Sequence, residues 1–196
     1  MIDDRPHLEV ATRAELRSWL DTNHAASNGV WLITWKRSSE RPGPTYDEIV
    51  EECLCFGWID SRPGTLDATR SKRLITPRRR GSGWSAVNKR RVAELEARGA
   101  LHAAGISVIE AARADGSWSS LDESEARVVP ADLAAAFSRH PGSADHFAAF
   151  PPGEQRRILQ WIGSAKTPPT RERRIEETAR LAAAGERANV WRPRTA

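Results

Sequence analysis

The stretch Val30-Trp31-Leu32-Ile33-Thr34-Trp35 limits most what this chain can become. Side chains of a strand point alternately to opposite faces, so a run that is apolar at both parities needs cover on both sides. It reads as a buried strand, which requires a sheet and helices to bury it. Upstream, Thr12-x-x-Glu15 has the form of a capping box with Leu16, Trp19 and Leu20 behind it. This predicts a helix over residues 12–24, released at the Asn28-Gly29 turn. Downstream of an Arg41-Pro42-Gly43-Pro44 loop, Thr45-x-x-Glu48 is a second capping box. Tyr46, Ile49, Val50, Cys53 and Leu54 follow it at helical spacing, and Gly57 is placed to end that helix.

Trp58-Ile59-Asp60 starts a strand, Arg62-Pro63-Gly64 reads as a turn, and residues 69–77 read as the partner strand of a hairpin. Along that partner, Arg70 and Lys72 fall on one face and Arg73 on the other, the pattern of an edge strand. A basic loop, Arg78-Arg79-Arg80-Gly81-Ser82-Gly83, leads to a helix over residues 85–98 with Gly99 as its stop. Beyond residue 105 the strand signals cease. Short helices are predicted over residues 106–114, 131–138, 144–150, 154–162 and 170–184, with Pro130 at the start of one of them. The expected fold class is α+β: a small antiparallel sheet with flanking helices over residues 1–105, a helical C-terminal portion over 106–186, and a loose tail over 187–196.

Charge is distributed unevenly. Residues 70–91 hold nine basic side chains and no acidic one, whereas the rest of the chain carries 21 basic and 26 acidic residues. One short segment therefore makes a net charge of +4 out of an otherwise acidic chain. Such a patch suits an anionic partner, whether nucleic acid, an acidic protein or a small anionic ligand. The bland alternative is a solvated face, since only four of the 30 basic residues are Lys and arginine is common throughout. Trp84 lies inside the segment, where an aromatic ring beside cations could stack a base.

Several chemistries lack their signatures. There is no phosphate-cradling glycine loop of either common type and no G-x-S-x-G nucleophile elbow. The five histidines show no metal-ligand spacing, and Cys53 and Cys55 sit too close for an ordinary disulfide and read as packed thiols. No metal and no cofactor are implied. Glu48 and Glu52, four apart on one helix, read as a solvated face rather than an acid–base pair. Trp31, Trp35 and Trp58 read as core. The apolar runs are too short to span a membrane, and Met1-Ile2-Asp3-Asp4-Arg5-Pro6 lacks the apolar stretch of a secretory signal, so a cytoplasmic location is expected.

Three stretches taken together resemble a known family. They are Asn23-His24 with Gly29-Val30-Trp31-Leu32; Tyr46-Asp47-Glu48 through Cys55-Phe56-Gly57-Trp58-Ile59-Asp60 to Thr76-Pro77-Arg78 and Ser82-Gly83-Trp84-Ser85-Ala86-Val87-Asn88; and Trp161-Ile162-Gly163-Ser164-Ala165-Lys166 with Thr170-Arg171-Glu172-Arg173-Arg174-Ile175. The chain resembles the YdeI/OmpD-associated (OmdA-type) bacteriocin-protection family over about residues 15–187, and its N-terminal portion is similar to the YjbR/CyaY-like group. The resemblance implies protection against bacteriocins and antimicrobial peptides and, for the N-terminal portion, a DNA-binding role. It brings no catalytic residues.

The resulting expectation is a binding protein of the stress or self-protection type rather than an enzyme. Arg70, Lys72, Arg73, Arg78, Arg79 and Arg80 would contact the anionic partner, Trp84 would stack, and Ser85 and Asn88 would donate hydrogen bonds. The alternative is an enzyme or a small-molecule-sequestering protein, with a pocket lined by Trp58, Asp60, Trp84 and basic side chains. The oligomeric state is left open.

Overall fold

A computed structural model describes residues 4–36, 39, 41 and 43–190. The chain divides into two compact units, Met1–Ser119 and Ser120–Ala196.

The first unit runs β1 (His7–Glu9), α1 (Arg13–Asn23), β2 (Val30–Trp35), α2 (Tyr46–Cys55), β3 (Trp58–Thr65), β4 (Arg70–Pro77), α3 (Ala86–Ala97) and α4 (Ala103–Ala114). Its sheet has the order β1-β2-β4-β3. The expected α+β architecture is present, with one refinement. The short strand β1, which carries no periodic signal, pairs parallel to β2, so the sheet is mixed. The apolar run behaves as its two-faced pattern requires. Val30 and Leu32 enter the main core, while Trp31 and Ile33 form a second cluster with Leu74 on the opposite side. Trp58 is core as well, and Trp35 is half-buried.

Local chemistry sets the helix ends. Thr12 Oγ1 accepts from the Glu15 amide at 3.1 Å, and Thr45 with Glu48 closes a full capping box. Glu48 is therefore a cap rather than an acid–base group. Ser85 Oγ accepts from the Asn88 amide at the start of α3. Cys53 and Cys55 are free and buried, and burial pushes both thiols up.

Two expectations about the hairpin need correction. Arg62-Pro63-Gly64 does not turn; it lies inside β3, whose register shifts between Asp60 and Pro63. The turn falls instead at residues 66–69, where Asp67 Oδ1 accepts from the amides of Thr69 (2.9 Å) and Arg70 (2.7 Å). Nor is β4 an edge. It lies between β2 and β3, and its basic residues are tolerated because each meets a carboxylate or a ring, as set out below.

The helix expected over 106–114 begins at Ala103, capped by His102 Nδ1, and belongs with the first unit. Ile109 and Ala112 join the main core. The approach is close: a Cβ on Gly105 would lie 2.2 Å from the Cys55 carbonyl oxygen, and one on Gly57 (φ +71°) would lie 2.7 Å from Val108. Only glycine fits at these two places. The boundary between units accordingly falls after residue 119 rather than residue 105.

The second unit holds α5 (Asp122–Glu125), α6 (Ala131–Arg139), α7 (Ser143–Ala149), α8 (Pro152–Gly163) and α9 (Pro168–Ala183). Leu133, Phe137, Phe147, Ile158, Ile162 and Ile175 are among its core residues. The tail expected to be loose is anchored at its start: Ala188 is buried and Arg157 donates to the Ala188 and Asn189 carbonyls. Residues 191–196 of that expectation, and Pro42 of the loop, lie outside the described residues.

Candidate anion-binding site

Pro77 ends β4, and the next amide, Arg78 N–H, donates to the Gly57 carbonyl at 2.9 Å, which fixes where the basic loop leaves the sheet. Gly81 takes φ +74°, and Ser82 Oγ donates to the Arg79 carbonyl at 2.7 Å, so the loop folds on itself before Ser85 caps α3. The loop lies against α4. Between them is a cavity of about 150 Å³, lined by Arg78, Arg79, Arg80 and Ser82 on one side and by Ser107 and Ala111 of α4 on the other, with Asp115 beyond.

Arg78 is the unusual member. Its residue is only 8% exposed, and its guanidinium carbon lies 3.7 Å from the centroid of the Trp84 ring. One terminal nitrogen donates to the Gly83 carbonyl. Nε and Nη1 are buried with no hydrogen-bond partner, and no carboxylate pairs with Arg78 among the described residues. Removing the cation from water brings its pKa down to about 10. That cost is on the order of 3 kcal/mol, and the Trp84 face and one carbonyl offset part of it. Arg78 is still charged near neutrality. With Arg79 exposed and Arg80 3.8 Å from Asp115, the cavity has three cationic side chains and one anionic one.

The remaining residues of the basic segment do not converge here, and most meet partners from other parts of the chain. Arg70 pairs with Asp67 (2.7 Å) and Glu9 (3.5 Å), Arg73 with Asp60 (2.9 Å), and Arg91 with Asp47. Lys72 lies over the Trp31 ring, 4.7 Å from its centroid. Apart from Asp67 in the adjoining turn, these carboxylates come from strands and a helix distant in sequence. Ser85 and Asn88 are occupied at the start of α3, where Asn88 Oδ1 also faces Arg91. Trp84 is 1% exposed and packs on Trp118, so it forms a platform for Arg78 and has no face open to a base.

Trp58, Asp60 and Trp84 do not line one pocket. Trp58 packs edge-on against Trp19 and donates to the His24 carbonyl at 3.3 Å. Asp60 takes Arg73 and the Tyr46 hydroxyl (3.2 Å), beside an open concavity of about 780 Å³ bordered by Tyr46, Asp47 and Arg73. Sequence reading missed a buried charge cluster. Glu52 is 1% exposed and accepts from Arg13 Nε at 2.6 Å and Arg17 Nη1 at 2.9 Å. The signal was present, because Arg13 and Arg17 are four apart on one helical face. Asp115 and Ser107 gave no such signal. Among the described residues no group of three or more His, Cys, Asp or Glu side chains could hold a metal ion, and no helix is long and apolar enough to cross a membrane.

Two family models match the chain. Residues 8–108 match the family described as Domain of unknown function (DUF8412), and since that is more than half of the sequence, the chain belongs to this family. Residues 126–185 match the family described as Bacteriocin-protection, YdeI or OmpD-Associated. The resemblance expected over residues 15–187 is therefore shown for the C-terminal part, and the N-terminal likeness to the YjbR/CyaY-like group is not shown. No curated protein and no solved structure matches the chain.

Proposed function

We propose that this member of the DUF8412 family is a binding protein acting in bacteriocin protection, and that its first unit takes a compact anionic group at the Arg78–Arg79–Arg80 cavity. The observation that carries the reading is Arg78: a buried cation, without a carboxylate, beside an open cavity flanked by two further arginines. A charge buried without a counter-charge destabilises the fold, and an anion entering the cavity relieves that cost. A volume of about 150 Å³ suits a phosphoryl, sulfate or carboxylate group and is too small for a nucleoside. The geometry favours a small anionic ligand over nucleic acid, because Arg70, Arg73 and Arg91 face carboxylates and Trp84 is covered. The match of residues 126–185 supports the protective role.

Thermal unfolding of the full chain with phosphate, sulfate or acetate, against chloride at equal ionic strength, tests this. The oxyanions should raise the transition temperature saturably, and Arg79→Gln/Arg80→Gln should remove the rise while unfolding as wild type does without anion. A rise that tracks ionic strength alone, or that persists in the double variant, would sink the proposal. Tight, strongly salt-dependent binding of a mixed-sequence oligonucleotide, lost in the double variant, would assign the same arginines to nucleic acid instead.

A further inference from the structure

The second unit carries a cavity of different character. It measures about 450 Å³ and lies between α6 and α7, with Phe137, Phe147, Val129 and Ala144 forming apolar walls and Arg127 at its margin. No acidic side chain lines it. Its size and lining are those of a small-molecule site: mostly apolar, with few polar groups to orient a ligand. The Gln155 side-chain nitrogen is already committed to the Ala148 (3.0 Å) and Phe150 (2.7 Å) carbonyls, and Arg127 is the one cationic residue lining the cavity.

The backbone gives an independent reason to single out Arg127. It follows α5 in the left-handed region, at φ +58°. Among the described residues the other positive-φ positions are glycines, apart from Asn189, and both residue types adopt this conformation readily. Arginine bears the steric penalty that glycine would avoid, and its side chain lies at the edge of the apolar cavity. The guanidinium is the feature a glycine could not supply.

We propose that this cavity binds a small carboxylic acid with a compact apolar body, the ring or branched chain lying against Phe137 and Phe147 and the carboxylate meeting Arg127. The site is separate from the anion cavity of the first unit and does not rest on it. An aromatic carboxylate such as 2-naphthoate satisfies both halves, the uncharged 2-naphthalenemethanol only the first.

Calorimetric titration of the full chain with 2-naphthoate should give one saturable site, with 2-naphthalenemethanol about five- to tenfold weaker. Arg127→Gly, which relieves the backbone and should unfold no earlier than wild type, should weaken naphthoate to the level of the alcohol and leave the alcohol unchanged. Ala144→Trp, at an exposed wall position, should block both. Arg79→Gln/Arg80→Gln should keep full naphthoate affinity, which separates this proposal from the one above. Absence of saturable binding at millimolar ligand, equal affinity for acid and alcohol, or an Arg127→Gly protein that binds naphthoate as tightly as wild type would overturn it.

Discussion

The first unit buries two charges of opposite sign and treats them differently. Glu52, on α2, is 1% exposed and is held by Arg13 and Arg17 of α1. Arg17 also donates to the Ala100 carbonyl at 3.1 Å, so the cluster ties α1, α2 and the start of the α4 segment together. Arg78 is nearly as deep, yet it has an aromatic face and a single carbonyl, with two nitrogens left over. A buried charge whose partners come from the chain is part of the fold. One whose partners are missing is a place where the chain expects something else. The contrast also warns against reading charge from sequence alone, since Arg70, Arg73, Arg80 and Arg91 are each matched by an acid from outside the segment, whereas Arg78 is buried without one.

The largest effect should come from breaking the paired cluster. Glu52→Ala removes the buried carboxylate that Arg13 and Arg17 share, but both arginines reach solvent (33% and 43% exposed) and Arg13 keeps Glu51 at 2.9 Å, so the change should cost about 1–3 kcal/mol in denaturant unfolding. A loss below about 1 kcal/mol would mean that water already screens the cluster. Arg78→Met should behave otherwise. Losing the Gly83 bond and the Trp84 stack is offset by relief of the burial cost, so stability should stay within about 1 kcal/mol of wild type while the response to oxyanions disappears. A loss above about 3 kcal/mol would make Arg78 structural, and the comparison would fail.

A smaller effect should separate these buried charges from exposed ones. Arg171 holds the Asp132 carboxyl below the ordinary carboxylate value, through bonds of 2.7 and 3.0 Å. Its contribution is therefore full above the unfolded value near 4 and is lost as pH falls through the folded value. Both side chains are about one-third exposed or more, so Asp132→Asn should cost less than about 1 kcal/mol at pH 7. The gap from wild type should narrow as pH falls below about 4 in a pH series of thermal unfolding. A gap that stays constant with pH would mean that charge is not its source.

Elements governed by neighbours in sequence were legible. The two capping boxes, the two-faced strand Val30–Trp35, the β3–β4 hairpin and the glycine after α3 all follow from local rules. What escaped depends on distant partners. Strand β1 is three residues long and exists because β2 offers it an edge. The turn at Asp67 was hidden by the stronger-looking Arg62-Pro63-Gly64, which a register shift absorbs into a strand. The basic segment was legible as a run, but which of its cations stays unmatched depends on Asp47, Asp60, Glu9 and Asp115, and no local pattern shows those contacts.

The central claim is tested most directly by titrating inorganic phosphate into ¹⁵N-labelled full-length protein at low ionic strength and following its amide and side-chain resonances. Saturating shifts are expected at Arg78–Ser82, at the Trp84 indole N–H and at Ser107 and Val108 of α4, with the Arg13, Arg17 and Glu52 cluster unmoved. Shifts that never saturate, or that gather instead around Lys72 and Arg73, would contradict the account.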